Sequence, residues 1–204
     1  MNAPNNTQNA MAAFSPATGS PSRFHLDLFS GIGGFALAAR WNGLTTRAFV
    51  EKDNYAQKVL RKNFAGIPIY DDICNFDGKP YAGTWLLTGG FPCQPFSVAG
   101  KRRGAADDRA LWPQMLRVIQ QSRPAWLLGE NVAGIVTMEL DNCLSDLEAI
   151  GYAAWPLVIP ACAVDARHRR DRVWIVAHAE SRARQRQAHP NLPFTNRLQG
   201  SRSR

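Results

Sequence analysis

A chain of 204 residues, 45% hydrophobic and 20% charged, is long enough for one globular domain with a sizeable core. It contains no apolar run near the ~20 residues of a membrane-spanning helix, which excludes such a helix within it. The formal net charge of +8 is concentrated after position 160, where ten Arg and no Lys accompany three acidic residues. Such a basic end indicates a polyanionic partner, and nucleic acid is a better candidate than a membrane. The alternative is that this end is a solvated tail.

The first 22 residues carry no charged side chain and are rich in Asn, Ala, Ser and Pro. They lack the basic start and the apolar run of a signal peptide, so we predict a disordered leader. The four cysteines form no CxxC pair and no metal-like cluster with the four histidines. This pattern predicts reduced thiols in a cytoplasmic protein that binds no metal.

The first predicted strand is Phe24–Phe29, and a glycine turn joins it to a predicted helix, Phe35–Trp41. The glycines of this turn let the backbone pass close to a ligand, and the helix amino terminus offers free N–H groups. Ala36 stands where the dinucleotide-binding fingerprint ends in Gly or Ala. The turn therefore predicts a nucleotide-type cofactor without specifying which one.

A second predicted strand, Thr46–Val50, ends in Glu51. An acid at this point is placed to accept hydrogen bonds from ribose hydroxyls, although it could instead cap the next helix. That helix is predicted over Asn54–Phe64, with Asp53 as its N-cap and Gln57 completing a capping box.

A short third strand, Ile67–Tyr70, is followed by Asp72 and Ile73. An acid beside a branched apolar residue could bind an adenine amino group and pack on the ring. A helix cap is the simpler interpretation, and these residues alone favour it.

A cysteine follows the next buried strand, Thr84–Thr88, after the sharp turn at Gly89 and Gly90. Pro92 and Pro95 stiffen the loop around Cys93 by restricting their own φ and the residues before them. A stiff loop that presents one thiol at a strand end suits a nucleophile. A buried, inert Cys is the alternative.

Residues 99–108 are flanked by glycine, poor in apolar side chains and basic at Lys101, Arg102 and Arg103. Such a stretch next to a nucleophile suits a loop that closes over a phosphate backbone.

The remaining chain continues to alternate helix and strand. The predicted elements are a helix over Leu111–Gln121, a strand over Ala125–Leu128 that leads into Glu130, a helix over Met138–Ile150, and strands over Tyr152–Ile159 and Arg172–Ala177. This alternation predicts an α/β fold with a doubly wound, mostly parallel sheet and its sites along one edge.

Taken in order, these motifs resemble the C5-cytosine DNA methyltransferase family over Phe24–Ala177. The matching stretches are Asp27-Leu28-Phe29-Ser30-Gly31-Ile32-Gly33-Gly34, Glu51-Lys52-Asp53, Asp72-Ile73, Gly90-Phe91-Pro92-Cys93-Gln94, Glu130-Asn131-Val132 and His168-Arg169-Arg170-Asp171-Arg172. These collinear motifs at suitable spacing are far more specific than any one of them. His168 departs from the family, which usually has Gln there.

The resemblance implies a Rossmann-like fold that binds S-adenosylmethionine and methylates cytosine in double-stranded DNA, as in bacterial or phage restriction-modification. The implied catalytic residues are Cys93, Glu130, Arg170 and Arg172. The implied cofactor-binding residues are Phe29, Gly31, Gly33, Glu51, Asp72, Ile73 and Pro92. The implied DNA-binding residues are Ser97, Lys101, Arg102 and Arg103.

In that family a target-recognition region and a closing helix follow this core, whereas only residues 179–204, rich in Arg, follow it here. We therefore expect a leader over 1–22, a catalytic domain over 23–178 and an Arg-rich tail. The chain is then a core fragment, a truncated product or half of a two-chain enzyme, with little sequence-specific activity alone. A cofactor- and DNA-binding subunit is the alternative function, and a nicotinamide-dependent oxidoreductase is a distant one.

Overall fold

Seven strands form one sheet in the computed structural model, which describes residues 23–92 and 111–180. In chain order they are β1 (Phe24–Leu28), β2 (Thr45–Val50), β3 (Ile69–Tyr70), β4 (Leu86–Gly89), β5 (Trp126–Val132), β6 (Tyr152–Pro160) and β7 (Asp171–Ala179). Their order across the sheet is β3-β2-β1-β4-β5-β7-β6. The first five are parallel, and β7 runs antiparallel to both of its neighbours. The predicted α/β fold with a mostly parallel sheet is confirmed.

Five α-helices join these strands within the described ranges. They are α1 (Gly34–Trp41), α2 (Asn54–Asn63), α3 (Trp112–Ser122), α4 (Ile135–Met138) and α5 (Leu140–Ala149), and 3-10 turns cover Lys79–Tyr81 and Ala161–Val164. In the described part of the chain, no helix combines the length and apolar character that crossing a bilayer requires.

Most predicted boundaries differ from the structure by one or two residues, and two of the differences have causes that the structure shows. The single helix expected over Met138–Ile150 is interrupted at Glu139, whose φ of −147° is not helical, so α5 begins only where its buried face begins, at Leu140. The strand expected to end at Leu128 continues to Val132, because β7 pairs with it as far as Arg172. This extension places Glu130 inside a strand.

The core lies mainly on the face of the sheet covered by α3 and α5. Met115, Ile119 and Leu147 from these helices are fully buried and pack against apolar side chains of the central strands. A smaller cluster on α1 and α2 buries Ala36, Phe49 and Leu60. The two clusters bury the apolar side chains of the strands whose carboxyl ends lie at the candidate site.

A chain of buried polar side chains crosses three central strands beneath the first loop. The hydroxyl of Thr88 donates to Asp27 Oδ1 at 2.6 Å and lies 2.8 Å from His25 Nε2, while Thr46 Oγ1 lies 2.9 Å from His25 Nδ1. Burial raises the pKa of Asp27 to about 8 and lowers the pKa of His25 to about 4. Both groups are therefore neutral in the native protein near pH 7.

This polar chain predicts a pH dependence of stability. Between about pH 6.5 and 8, native Asp27 keeps a proton that the unfolded chain has released, so the free energy of unfolding falls as pH rises. Below about pH 6.5, His25 acts in the opposite direction, because the unfolded chain binds a proton that the native imidazole does not. His25 still offsets a small part of this loss just above pH 6.5, so we expect a net loss of about 1 kcal/mol from pH 6.5 to 8, measured by urea unfolding.

The Asp27→Asn variant should flatten this dependence, because it removes the titrating carboxyl and keeps an oxygen that accepts from Thr88. The exposed Asp71→Asn change is the matched control and should leave the slope as it is. A parental slope in Asp27→Asn would show that another group titrates in this range.

Candidate active site

The residues predicted to form a site follow the carboxyl ends of parallel strands, which lie at one edge of the sheet. The glycine turn follows β1, Glu51 follows β2, and Gly90 follows β4. Glu130 lies in the last part of β5, which is parallel to β4 and adjacent to it. Because ligands of doubly wound sheets bind at this edge, the fold brings the predicted residues to the expected place.

The turn after β1 has a backbone that few side chains tolerate. Phe29 and Gly31 have left-handed φ values of 52° and 53°, and at Phe29 this conformation costs on the order of 1 kcal/mol. Gly33 has a φ of 93°, and a Cβ there would come within 2.5 Å of the Phe64 ring. Glycine is therefore required at position 33 to let the turn approach the end of α2.

Glu51 connects this turn to the next helix through backbone amides. Its Oε2 accepts from the Gly31 amide at 2.6 Å and its Oε1 accepts from the Asp53 amide at 2.7 Å. Each carboxylate oxygen has a second lone pair, so further donors can still bind. The carboxylate is thus placed at the turn where a ribose is expected.

The N-cap of α2 is confirmed, but the capping box is wrong. Asp53 Oδ1 accepts from the Ala56 amide at 2.7 Å. The Gln57 amide group instead donates to the Glu51 carbonyl at 2.7 Å, because Glu51 already occupies the Asp53 amide that Gln57 would need.

Asp72 and Ile73 form a tight turn after β3. Asp72 Oδ1 accepts from the Cys74 amide at 2.8 Å and Oδ2 accepts from the Asn75 side chain at 3.1 Å. The Ile73 side chain is 4% exposed and lies in the core, so its packing on a bound ring stays a prediction.

An ion pair joins β5 and β7 at the centre of the candidate site. Arg172 Nε lies 2.7 Å from Glu130 Oε1, and the two side chains are 22% and 27% exposed. Arg172 Nη1 also donates to the Asp171 carbonyl at 2.9 Å. A Cβ at Gly90 would lie 3.1 Å from Glu130 Oε2, so glycine at position 90 leaves room for the carboxylate. The pair fixes one side of Glu130.

A cavity of about 480 Å³ opens at this ion pair, within the usual size range of small-molecule sites. It is lined by Phe91, Pro92, Glu130, Asn131, Val132, Arg170 and Arg172. Arg170 is exposed and has a left-handed φ of 34°, a strained conformation of the kind found at functional sites. The cavity therefore combines one carboxylate with two guanidinium groups.

Asn131 is a site residue that the sequence reasoning missed. It is 4% exposed, and its Nδ2 donates to the Phe91 carbonyl at 2.8 Å. This bond ties β5 to the chain two residues before Cys93. A polar side chain in an otherwise buried strand was the available signal, since a buried amide needs a partner.

Five of the predicted residues lie outside the described residues: Cys93, Ser97, Lys101, Arg102 and Arg103. Among those that are described, no three His, Cys, Asp or Glu side chains come together as a metal site would need.

Comparison with protein families gives one match over most of the chain. The model of the family described as C-5 cytosine-specific DNA methylase matches residues 24–201. Similar proteins include Type II methyltransferase M.Eco47II of Escherichia coli, 37% identical over 160 residues, and Type II methyltransferase M.NgoBI of Neisseria gonorrhoeae, 33% identical over 174 residues. The matches cover 74% and 83% of this chain but only 38% and 51% of those relatives. The chain thus spans about half the length of these relatives or less.

Solved structures show the same fold. The S. pombe Dnmt2 methyltransferase superposes with a TM-score of 0.66 at 21% identity, covering 86% of this chain and 58% of that one. A Spodoptera frugiperda DNMT2 mutant gives the same TM-score at 23% identity, covering 78% and 50%. This chain therefore has the same fold as these two methyltransferases, although fewer than a quarter of the aligned residues are identical.

Proposed function

Because the chain belongs to the C-5 cytosine-specific DNA methylase family, we propose that it transfers a methyl group from S-adenosylmethionine to C5 of cytosine in double-stranded DNA. The observation that carries the proposal is the Glu130–Arg172 pair in a cavity whose wall includes Pro92. Cys93, the residue after Pro92 in the sequence, lies outside the described residues, and the proposal assigns it the role of the nucleophile. Together with Glu130, Arg170 and Arg172 of this cavity it forms the proposed catalytic set.

Cys93 is the proposed nucleophile. Cytosine is a weak nucleophile at C5, so the Cys93 thiolate first adds to C6 and the C5–C6 double bond supplies the electron pair to C5. An unperturbed thiol is mostly protonated at neutral pH. The proposed step requires the thiolate, and the guanidinium groups of Arg170 and Arg172, which line the cavity with Pro92, are the positive charges proposed to favour it.

Glu130 and the two arginines are proposed to hold the pyrimidine. Glu130 accepts from the exocyclic amine, and a proton that its carboxyl group takes up from solvent and shares with N3 neutralises the charge that develops when C6 is attacked. Arg172, with Arg170, donates to the O2 side. These groups stabilise the addition product more than the free base, so they accelerate the reaction as well as bind the substrate.

When bound, S-adenosylmethionine would supply an electrophilic sulfonium methyl group to C5 and leave as S-adenosylhomocysteine. Transfer of the C5 proton to water then restores the C5–C6 double bond and expels the Cys93 thiolate. The residues present fit this cofactor, because the turn after β1 and Glu51 bring amides and a carboxylate to the same edge. Phe29, Gly31, Gly33, Glu51, Asp72, Ile73 and Pro92 are the residues proposed to bind it.

A cytosine inside a duplex cannot enter the cavity, so the base has to leave the stack at a cost of roughly a few kcal/mol. Ser97, Lys101, Arg102 and Arg103 are proposed to contact DNA around it. Phosphate contacts from such residues give binding that weakens steeply with salt.

Glu51→Ala is expected to weaken binding of S-adenosylmethionine by about 1.5–3 kcal/mol, the usual size for a hydrogen bond to a charged group. Asp72→Ala should cost less, because water can replace a contact at the rim. Titration calorimetry measures both. If both variants bind the cofactor as tightly as the parent, these two carboxylates serve only to accept hydrogen bonds from the backbone amides of their own loops.

The function is tested by incubating the 204-residue chain at low salt with duplex DNA and S-adenosylmethionine labelled in the methyl group. We expect label in DNA, recovered as 5-methylcytosine after digestion to nucleosides. Label in adenine or at the cytosine amino group would contradict the proposed chemistry. Cofactor binding without any transfer would favour the binding-subunit alternative.

A further inference from the structure

One guanidinium on α3 holds the turn that carries Asp72, across more than 40 residues of sequence. Arg117 Nη2 donates to the Ile73 carbonyl at 2.5 Å, and Nη1 donates to the Phe76 carbonyl at 2.9 Å. A longer bond of 3.4 Å runs from Nη2 to the Cys74 carbonyl. Within residues 23–92 and 111–180, no carboxylate pairs with this guanidinium, so its charge is directed at backbone carbonyls.

The guanidinium is itself held in place by two side chains of α3. Arg117 Nε donates to Gln114 Oε1 at 2.9 Å, and Nη1 donates to Gln121 Oε1 at 3.1 Å. The same Gln121 oxygen accepts from the Gly78 amide at 2.9 Å. Residues three and four apart share a helix face, so Gln114, Arg117 and Gln121 act together on one loop. The planar guanidinium has a single orientation in this setting.

The Asp72 carboxylate depends on the turn that Arg117 holds. Its two oxygens accept from the Cys74 amide and the Asn75 side chain, which belong to that turn. The Ile73 side chain is buried in the core and so anchors the turn to the body of the protein. Asp72 itself is partly exposed, and each of its oxygens keeps a lone pair for an outside donor.

We propose that Arg117 is a positioning residue that aims the Asp72 carboxylate at the amino group of the cofactor's adenine. This inference rests on the proposed function and adds a residue that does not touch the cofactor. If Arg117 only held the loop against α3, its replacement would lower the stability of the protein and would weaken the binding of all cofactor analogues equally. A positioning role instead affects discrimination between analogues that differ only at the adenine amino group.

The experiment measures the affinity of the full chain for S-adenosylhomocysteine and for its deaminated analogue, in which oxygen replaces the adenine 6-amino group. We expect Arg117→Met and Asp72→Asn each to weaken S-adenosylhomocysteine binding about fivefold, and the double variant about fivefold rather than 25-fold, because both changes remove the same contact. Arg117→Met should leave binding of the deaminated analogue unchanged, whereas Asp72→Asn should strengthen it, because an amide can donate to the 6-oxygen that a carboxylate repels. Arg117→Lys, which keeps the charge but not the planar fork, should recover only part of the loss.

Arg123→Met is the matched control, since Arg123 is the residue that follows α3 and its Nη1 donates to the Ile150 carbonyl at 2.8 Å, away from the turn. It should leave both affinities unchanged. Equal loss of both ligands in Arg117→Met, or multiplied losses in the double variant, would overturn the positioning role. If the parent chain binds neither ligand, the proposed function fails rather than this inference.

Discussion

Replacement of Cys93 by Ala is expected to lower the rate of methyl transfer by roughly 10³-fold or more, the scale seen when a covalent nucleophile is removed. Without the thiolate, C5 has no electron pair to attack the methyl group. Affinity for S-adenosylhomocysteine should stay within about twofold of the parent, because the glycine turn and Glu51 are unchanged. Single-turnover methylation and calorimetry measure the two quantities separately.

Cys162→Ala is the control for this change. Cys162 is exposed in the 3-10 turn Ala161–Val164 and is not among the residues that line the cavity. The variant should methylate at the parental rate. Parental activity in Cys93→Ala, or loss of activity in Cys162→Ala, would assign the nucleophile to another residue.

Glu130→Gln is expected to lower the methylation rate constant by about 10²-fold, the usual effect of removing one group that stabilises developing charge. The amide keeps the size of the side chain but cannot carry the negative charge that pairs with Arg172 or share an acidic proton with N3. Stability should change by about 1 kcal/mol or less, since both side chains of the pair are about a quarter exposed. The large effect is therefore on the chemical step.

The exposed Glu148→Gln change on α5 makes the same substitution away from the cavity and should leave the rate unaltered. Burst kinetics separate the chemical step from product release in both variants. A parental rate in Glu130→Gln would show that the carboxylate only anchors Arg172.

Local sequence patterns predicted the strands and helices because the chain alternates clearly between buried strands and amphipathic helices. They also placed Glu51 and Glu130 at one edge of the sheet, since parallel strands share their carboxyl ends. The patterns did not predict that β5 continues through Glu130 to Val132. That extension depends on antiparallel pairing with β7, a partner more than 35 residues away.

Contacts between distant residues account for most of what local patterns could not supply. Glu51 was predicted as a ribose acceptor, yet its binding to the Gly31 amide depends on two loops meeting in space. Arg117 looked like an ordinary helical residue because its carbonyl partners lie more than 40 positions earlier. The sequence showed Asn131 only as part of the Glu130-Asn131-Val132 motif and did not predict its hydrogen bond to the Phe91 carbonyl, 40 positions earlier.

The most direct measurement is covalent trapping with a duplex that contains 5-fluorocytosine, in the presence of S-adenosylmethionine. Fluorine at C5 cannot leave as the proton does, so the adduct between sulfur and C6 should persist after methyl transfer. We expect a protein–DNA complex stable to denaturant, whose modified peptide contains Cys93 by mass spectrometry, and no such complex with Cys93→Ala. An adduct on any other residue, or an equal yield from Cys93→Ala, would contradict the proposed chemistry.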